Sequence, residues 1–405
     1  MRILLLSAEY PPMPGGIGDY TVELGHALQS QGAQVAIVTG SGPADPAESA
    51  VPVFRRVRGW GRHVREDVQA VMSEWQADIL HIQYQTGAYQ MKPAINLLPS
   101  RLDVPTLVTF HDLRMPYLAP KVAPLRRYVT RLLIESAAAV IVTNAEDQSR
   151  LAGAQSLVPD PDIYALTQPL QPAPMLIPIA ANIAVQPLAD RAALRAQLGM
   201  PADGFLVAYF GLINHTKGVD TLIESLQYLP ATTRLVMIGG DATSSPDREY
   251  AQVVQATLDR LDLHERVIWT GYLSAEDVSR TLQAADAAAL PFVDGASYRR
   301  GSLLAALAHG LPTITTQPRV PLDPPLRHNH EVLLVDPGDA INLALEIERL
   351  GDDPKLHAQL AQAARELARA FRWEAIAAHH LALYKQVQSH RQIEQPQPRS
   401  RRNNA

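Results

Sequence analysis

Cysteine is absent from this chain of 405 residues, which excludes disulfides, thiolate metal sites and a cysteine nucleophile. A large excess of charge of one sign is also lacking, because 36 basic residues stand against 41 acidic ones and leave a net charge of -5. That balance gives no global reason to expect nucleic acid as a partner. Apolar runs are short: none approaches the roughly 18 residues of a membrane span, and the first is too short for a signal peptide. We therefore expect a cytoplasmic protein.

What the chain does have is a recurring alternation of short apolar runs with amphipathic stretches. Buried runs separated by helices are typical of a parallel sheet covered on both faces. The predicted strands are residues 3–6, 35–38, 79–82, 106–110 and 139–142, then 205–210, 234–238, 267–270, 287–290, 313–316 and 332–335. The first helix is predicted over residues 19–31, with Asp19 as its cap.

Length and a break in this pattern both indicate two domains. The chain is rich in proline between residues 158 and 193, which disfavours regular helix, so we place the domain crossing near residues 180–187. We predict an α/β protein with two doubly wound, Rossmann-like domains, residues 1–183 and 184–372, facing each other across a cleft. We expect a helix over residues 373–388 to pack back on the first domain, and residues 389–405 to form a flexible tail.

The segment over residues 290–312 joins a buried strand to a helix through a loop that carries two adjacent arginines, Arg299 and Arg300. Backbone N–H groups at a helix start are unpaired and carry the positive end of the helix dipole, so this junction can hold an anion. The alternative interpretation is that the two arginines are surface charges in solvent.

Two further segments follow predicted strands of the first domain at the carboxyl edge of the sheet, where ligands bind in open α/β folds. Gly15, Gly16 and Gly18 precede the first helix, but their spacing and the lack of a ribose-binding acid do not fit a dinucleotide fingerprint. A glycine loop at a helix start can still approach a ligand closely. His111 and Asp112 directly follow the fourth predicted strand. A lone histidine is more often structural, whereas this position at the edge favours function.

Lys217 and Gly218 lie in the loop after the first strand of the second domain, where a helix start could share a phosphate with the ammonium group. The spacing is not that of a P-loop. Metal ligands are not evident, because the Asp-Pro-Asp at 160–162 lies in a turn-forming stretch and the His-Asn-His at 328–330 has no third ligand nearby. We expect no metal and no other cofactor.

Two arginine-rich segments could dock an anionic membrane surface, although an ordinary amphipathic surface helix is the favoured interpretation. That first segment carries an apolar face of Leu125, Val129, Leu132 and Leu133. The basic residues are Arg126, Arg127 and Arg131 in the first segment and Arg55, Arg56, Arg58, Arg62 and Arg65 in the second.

Taken together, these motifs resemble those of family 4 glycosyltransferases with the GT-B fold, and the likeness extends to about residue 388. Tyr10-Pro-Pro and the glycines after it resemble the family's first loop, which faces the acceptor. Phe110-His111-Asp112 resembles the segment whose histidine contacts the donor sugar, and Lys217-Gly218 the pair that binds the diphosphate. Residues 271–273 look like the loop that receives the nucleotide base, and residues 306–312 like the helix end and turn of the donor site.

The sequence departs from the family pattern at three positions. The family usually has two glutamates with seven residues between them, and Ser297 and Ala305 occupy those places here. Leu212 stands where the family has a phosphate-binding arginine. We expect Arg299 and Arg300 to neutralise the diphosphate instead.

The resemblance implies transfer of a sugar from a nucleotide diphosphate sugar to an acceptor, with retention of configuration. We assign the chemistry to His111, Lys217, Arg299 and Arg300. Donor binding is assigned to Gly211, Lys217, Gly218, Tyr272, Leu273, Ser297, Arg299, Arg300, Gly301 and Ser302. The acceptor side is assigned to Gly15, Gly16, Ile17, Gly18 and Asp112. The acceptor is a glycan, a lipid-linked sugar or a small molecule, and peripheral membrane contact is kept as an option.

Two other functions stay open at this point. A GT-B protein that has lost the paired glutamates could bind nucleotide sugars as a scaffold without turnover. A sugar-nucleotide epimerase on the same two-domain plan would form product with no acceptor present.

Overall fold

The computed structural model describes residues 1–13, 15–43, 51–113, 123–152, 173–187, 190–201, 204–239 and 245–394, with the backbone alone at 123–124, 245–246 and 391–394. The chain divides into two units that each contain one parallel sheet. Unit 1 comprises Met1–Pro178 and Trp373–Ala405, and unit 2 comprises Ile179–Arg372. The prediction of two doubly wound α/β domains is therefore confirmed. The predicted Asp-Pro-Asp turn at 160–162 lies outside the described residues.

The sheet of unit 1 has seven parallel strands in the order β3-β2-β1-β4-β5-β6-β7. Its strands are β1 Arg2–Ser7, β2 Gln34–Gly40, β3 Val53–Val57, β4 Ile79–Tyr84, β5 Thr106–Phe110, β6 Ala139–Val142 and β7 Met175–Leu176. All five strands predicted for this unit are present, and β4 and β5 are buried along their whole length. The sequence did not indicate β3 or β7, which are the two edge strands.

The helices between these strands are α1 Gly16–Ser30, α2 Val64–Trp75, α3 Ala123–Ser136 and α4 Ala145–Leu151. The first differs from the prediction, since α1 begins at Gly16 and not at Asp19. The N-cap residue is Gly15, which has no side chain that could accept a capping hydrogen bond. Asp19 lies in the first turn of the helix. The prediction of Asp19 as the cap was therefore wrong.

The sheet of unit 2 has six parallel strands in the order β10-β9-β8-β11-β12-β13. Its strands are β8 Leu206–Phe210, β9 Arg234–Ile238, β10 Val267–Gly271, β11 Ala287–Leu290, β12 Thr313–Thr316 and β13 Leu333–Val335. Its helices are α5 Arg191–Gln197, α6 Val219–Ser225, α7 Ser245–Leu261, α8 Ala275–Ala284, α9 Gly301–Ala308, α10 Ala340–Asp352 and α11 Pro354–Ala368. Side chains cap several of these helices: Ser274, Asp339 and Asp353 each accept a backbone N–H in the first turn of the helix that follows.

The chain returns to unit 1 through its last helix, α12 Trp373–Glu394. This helix runs past the predicted end at residue 388, so residues 389–394 continue it, and the rest of the predicted tail lies outside the described residues. The Tyr384 hydroxyl lies 2.6 Å from Nδ1 of the buried His81 on β4, whose Nε2 lies 2.7 Å from the Thr109 hydroxyl. At the helix start, the ring of Trp373 packs on Tyr20 of α1. These contacts complete the core of unit 1. None of the described helices is both long and apolar enough to cross a membrane.

Candidate functional site

Two loops lie side by side at the carboxyl edge of the unit 2 sheet, because β8 and β11 are neighbouring strands. The loop after β8 contains a 3₁₀ turn, His215–Lys217, whose Thr216 carbonyl accepts the Val293 N–H at 3.0 Å. Gly218 follows with φ 64°, and a Cβ atom there would stand against the Pro291 carbonyl oxygen inside van der Waals contact. Only glycine fits this position, which holds the two loops together.

Lys217 and Arg300 both lie close to the ring of Phe292. The Lys217 ammonium nitrogen lies 5.1 Å from the centre of the Phe292 ring, and the Arg300 guanidinium carbon lies 5.0 Å from the same centre. Burial, and to a smaller extent the positive charge of Arg300, lower the pKa of Lys217 to about 8, while Asp294 opposes the shift. The lysine and arginine predicted for the anion site therefore share one aromatic neighbour, and their charges interact.

Asp294 holds both predicted arginines. Its Oδ2 atom lies 3.2 Å from Arg299 Nη2, and its Oδ1 atom accepts a hydrogen bond from Arg300. The two arginine side chains are only 22% and 13% exposed, so they are not the solvent-facing surface charges of the alternative interpretation. Asp294 was not among the predicted site residues, although it lies in the same loop five residues before Arg299.

The start of α9 faces the same loop. Arg300 takes the capping position, and its carbonyl accepts the N–H groups of Leu303 and Leu304, so the N–H groups of Gly301 and Ser302 precede the first bonds inside the helix. The Ser302 side chain is buried, with 7% exposure, and its hydroxyl has no hydrogen-bond partner among the residues that the structure describes. A buried hydroxyl without a partner is costly, which points to a ligand or water at this position.

Ser297 lies one turn before the arginines and orders the loop. Its hydroxyl accepts the Arg299 N–H at 3.4 Å and its carbonyl accepts the Arg300 N–H at 3.0 Å. Ala305, at the position of the family's second glutamate, is fully buried in the apolar core of unit 2. An unpaired carboxylate in that core would be strongly destabilising. The apolar surroundings of position 305 therefore suit an alanine and not a glutamate.

The helix that follows Lys217 differs from expectation. The first turn of α6 is capped by Tyr250 of α7, whose hydroxyl accepts the Asp220 N–H at 3.1 Å and donates to an Asp220 carboxylate oxygen at 2.6 Å. The Tyr250 side chain therefore occupies the Asp220 N–H at that helix start, whereas the N-cap residue of α9 makes no side-chain capping bond.

The remaining donor-side positions are spread along the same edge. Gly211 follows β8, and its N–H donates to the Ile238 carbonyl at 2.9 Å. Tyr272 is 89% exposed after β10, whereas Leu273 packs against the core. Leu212 is largely exposed, and its carbonyl accepts the Tyr209 hydroxyl.

His111 in unit 1 is held from two sides. Its Nε2 atom lies 2.9 Å from the side-chain oxygen of Gln83 on β4, and its backbone N–H donates to the Tyr84 carbonyl. The ring of Tyr20 meets the imidazole edge to face at 4.8 Å. Burial lowers the pKa of His111 to about 3, so the ring is neutral at ordinary pH. Asp112, which follows it, is half-buried.

The glycine segment is largely helical, because Gly16, Ile17 and Gly18 form the first turn of α1. The Ile17 N–H donates to the carboxylate of Glu9, and a Cβ atom on Gly15 would clash with that carboxylate. Burial raises the pKa of Glu9, and the nearby Asp19 raises it further. A side-chain carboxylate therefore occupies this helix start, where an open glycine loop was predicted.

The two arginine-rich segments differ in their surroundings. On α3, Leu133 is fully buried in the core while Leu125 is 58% exposed, so the predicted apolar face divides between core and solvent. In the second segment, Arg56 pairs with Glu74 and Arg58 pairs with Asp67. Within the described residues, no three His, Asp or Glu side chains are grouped so that they could hold a metal ion.

Two family models match the chain. "Glycosyl transferases group 1" matches residues 190–367 and "Glycosyl transferase 4-like domain" matches residues 15–163. The chain belongs to the group 1, family 4 glycosyltransferases. The D-inositol 3-phosphate glycosyltransferase of Xylanimonas cellulosilytica is 26% identical to this glycosyltransferase over 439 residues, which span 96% of the chain and 98% of the relative. A lipopolysaccharide core biosynthesis glycosyltransferase of Rhizobium meliloti is 34% identical over 193 residues, 47% of the chain and 52% of the relative.

Solved structures share the fold over nearly their whole length. The sucrose-phosphate synthase of Thermosynechococcus elongatus has a TM-score of 0.72 and 25% identity, and the match covers 96% of this glycosyltransferase and 100% of that chain. HepE of Anabaena, in complex with UDP and glucose, has a TM-score of 0.72 and 19% identity over 95% of this chain and 99% of its own. The predicted GT-B fold and the predicted enzyme class, glycosyltransferase, are confirmed. The roles of the individual site residues stay predictions.

Proposed function

We propose that this glycosyltransferase binds a nucleoside diphosphate sugar in unit 2 and needs no metal ion to do so. Lys217, Arg299 and Arg300 supply three positive charges, and the Asp294 carboxylate offsets one of them. The two charges that remain match the two negative charges of a diphosphate diester. The buried positions of these groups strengthen their attraction to the ligand, because solvent screens them less than it screens surface charges.

The observation that carries this proposal is the buried Ser302 hydroxyl at the start of α9. It lacks a hydrogen-bond partner in the part of the chain that the structure describes, and it stands next to two N–H groups that precede the helical bonds. Three donors beside two guanidinium groups form a seat for phosphate oxygens.

We further propose that transfer proceeds with retention at the front face of the sugar. The bond from C1 of the sugar to the departing diphosphate breaks while the bond from C1 to the acceptor oxygen forms on the same face. The departing phosphate takes the acceptor proton, so no carboxylate base is needed. Lys217, Arg299 and Arg300 stabilise the charge that grows on the diphosphate, and this preorganised field lowers the barrier.

We assign His111 to the donor sugar and Gly15, Gly16, Ile17, Gly18 and Asp112 to the acceptor side, as the family resemblance implies. Because the pKa of His111 is lowered to about 3, the imidazole acts as a neutral hydrogen-bonding group and not as an acid. The acceptor is a hydroxyl of a glycan, a lipid-linked sugar or a small molecule, and nucleic acid has no place in this scheme.

The test is calorimetric titration of the full chain with UDP, ADP and GDP and with their glucose esters, in the presence of EDTA. We expect one nucleotide to bind and its sugar ester to support transfer to a panel of acceptor hydroxyls. Binding without turnover on any acceptor would favour the scaffold, and sugar conversion without acceptor would favour the epimerase. Loss of binding in EDTA would contradict the metal-free site.

A serine pair tests the observation that carries the proposal. Ser302→Ala removes the unpartnered hydroxyl and should raise the nucleotide dissociation constant about tenfold, since one hydrogen bond to a charged oxygen contributes roughly 1.5 kcal/mol. Ser225→Ala is the matched control, because Ser225 is also buried in unit 2 but donates to the Leu222 carbonyl within α6. Equal affinities in the two variants would contradict the role of Ser302.

A further inference from the structure

A buried glutamine stands behind His111, and the transfer scheme above does not use it. Gln83 lies on β4 between Ser7 of β1 and Thr109 of β5, and its side chain is fully buried. Its side-chain oxygen lies 2.9 Å from His111 Nε2, and its side-chain nitrogen has no hydrogen-bond partner among the described residues. His111 is the only described residue with which this amide forms a hydrogen bond.

The chemistry of the pair fixes which ring nitrogen carries the proton. An amide oxygen can only accept a hydrogen bond, so His111 Nε2 must donate to it. In a neutral imidazole the other nitrogen, Nδ1, is then an acceptor with a free lone pair. The imidazole is neutral because burial lowers its pKa to about 3. No described residue hydrogen-bonds to Nδ1, and the histidine is half-buried.

The plane of the ring is fixed as well. Tyr20 meets the imidazole at an interplanar angle of 76°, and Tyr20 is itself only 2% exposed. Trp373, the first residue of α12, packs on Tyr20 in turn, with 5.2 Å between the two ring centres. The imidazole can therefore neither flip nor tilt without displacing the buried Tyr20 ring or breaking the bond to Gln83.

We propose that Gln83 is a positioning residue that holds His111 as the Nε2–H tautomer, so that Nδ1 accepts a hydrogen bond from a hydroxyl of the donor sugar. This inference rests on the proposed role of His111 at the donor sugar. It specifies the kind of contact: Nδ1 of His111 accepts a hydrogen bond from a sugar hydroxyl. A donor sugar with fluorine or hydrogen in place of that hydroxyl cannot form this hydrogen bond. Binding of the nucleotide part, which involves Lys217 and the two arginines, does not depend on Gln83.

The tautomer can be read directly in the full chain. Long-range ¹H–¹⁵N correlation spectra of protein with ¹⁵N-labelled histidine distinguish the two tautomers, and His111→Asn assigns the signal by its loss. We expect the Nε2–H form in the wild type. Gln83→Met, which keeps the length of the side chain and removes its acceptor, should give a mixture of the two tautomers. Tyr384→Phe is the matched control, because it removes a buried hydrogen bond to His81 in the same unit and should leave the His111 signal unchanged.

Kinetics supply the functional half of the test. Gln83→Met should lower kcat/KM for transfer about tenfold, which is the effect of one lost hydrogen bond, while the dissociation constant for the free nucleoside diphosphate stays unchanged. Gln83→Glu keeps an acceptor oxygen and should restore the Nε2–H form. Should Gln83→Met fail to fold, the wild-type and Gln83→Glu spectra still decide the tautomer.

Two results would overturn the inference, and they differ from failure of the proposed function. An Nδ1–H signal in the wild type shows that Gln83 donates through its nitrogen, and it leaves nucleotide binding and transfer as proposed. An Nε2–H signal with unchanged kcat/KM in Gln83→Met shows that the tautomer has no part in transfer. Loss of the proposed function itself would appear as absence of nucleotide binding, with the tautomer still measurable.

Discussion

Replacing Arg299 and Arg300 together by alanine is the most direct test of the anion site. Each guanidinium can donate a charge-assisted hydrogen bond to a phosphate oxygen, and such a bond contributes about 1.5–3 kcal/mol. Both arginines already share the carboxylate of Asp294, which offsets part of their charge. Taking the lower figure for each, the double variant loses about 3 kcal/mol, which raises the dissociation constant for a nucleoside diphosphate about 100-fold.

The double variant also leaves the Asp294 carboxylate without its two partners at the site. A carboxylate near a diphosphate repels it, so part of the lost affinity comes from the aspartate and not from the missing arginines. Adding Asp294→Asn to the double variant separates the two effects. We expect the triple variant to bind more tightly than the double variant and less tightly than the wild type.

Isothermal titration with UDP at 0.15 M salt in EDTA measures these constants. The chain offers a matched control in Arg191→Ala with Arg195→Ala, because these two arginines also share one aspartate, Asp286, in unit 2. That cluster lies at the amino end of β8, where Asp286 accepts the Leu206 N–H, so the control loses the same charge away from the proposed site. A dissociation constant within threefold of wild type in the Arg299 and Arg300 double variant would refute the site, as would an equal loss in the control.

The other predictions concern the lysine and the glycine of the neighbouring loop. The pKa of Lys217 in the free protein is about 8, and a bound diphosphate opposes loss of that proton, so affinity should fall as pH rises through 8, roughly tenfold between pH 7 and pH 9. Calorimetry in two buffers should show proton uptake on binding at pH 9 that Lys217→Met lacks, and matching uptake in both proteins would contradict the assignment. Gly218→Ala should lower the free energy of unfolding by about 2 kcal/mol or more, measured by denaturant titration, because φ is 64° and the Cβ atom would meet the Pro291 carbonyl. Gly301→Ala, with open space around it, is the control, and similar unfolding midpoints in both variants would contradict this account.

The sheets could be predicted because a buried parallel strand leaves a local mark in the sequence. Thr106–Phe110, Ala287–Leu290 and Thr313–Thr316 have the predicted bounds, since each is a short apolar or β-branched run between helices. The edge strands lack that mark. Val53–Val57 carries two arginines that indicate a charged surface, and Met175–Leu176 has only two residues within a proline-rich stretch.

The partners of the site residues could not be predicted, because they come from other elements. Gln83 and His111 are 28 positions apart in the sequence and meet only through strand pairing. The hydroxyl that accepts the Asp220 N–H belongs to Tyr250 on a different helix, 30 positions away in the sequence. Two partners did leave a local signal: Asp294 lies in the same loop as Arg299 and Arg300, and Glu9 is an acid close to a glycine-rich helix start, where a carboxylate is favoured.

The return of the chain through its last helix sets the order in which the protein is completed during synthesis. Unit 2 is one continuous stretch, Ile179–Arg372, whereas His81 leaves the ribosome 303 residues before the tyrosine that binds it. Unit 2 can therefore fold before α12 is synthesised. Until then, the face of unit 1 that contains His81 and Tyr20 is not covered by α12. Ending the chain after Arg372 would leave unit 2 complete but deprive unit 1 of Trp373 and Tyr384, so the amino-terminal unit is the one that depends on the carboxyl-terminal helix.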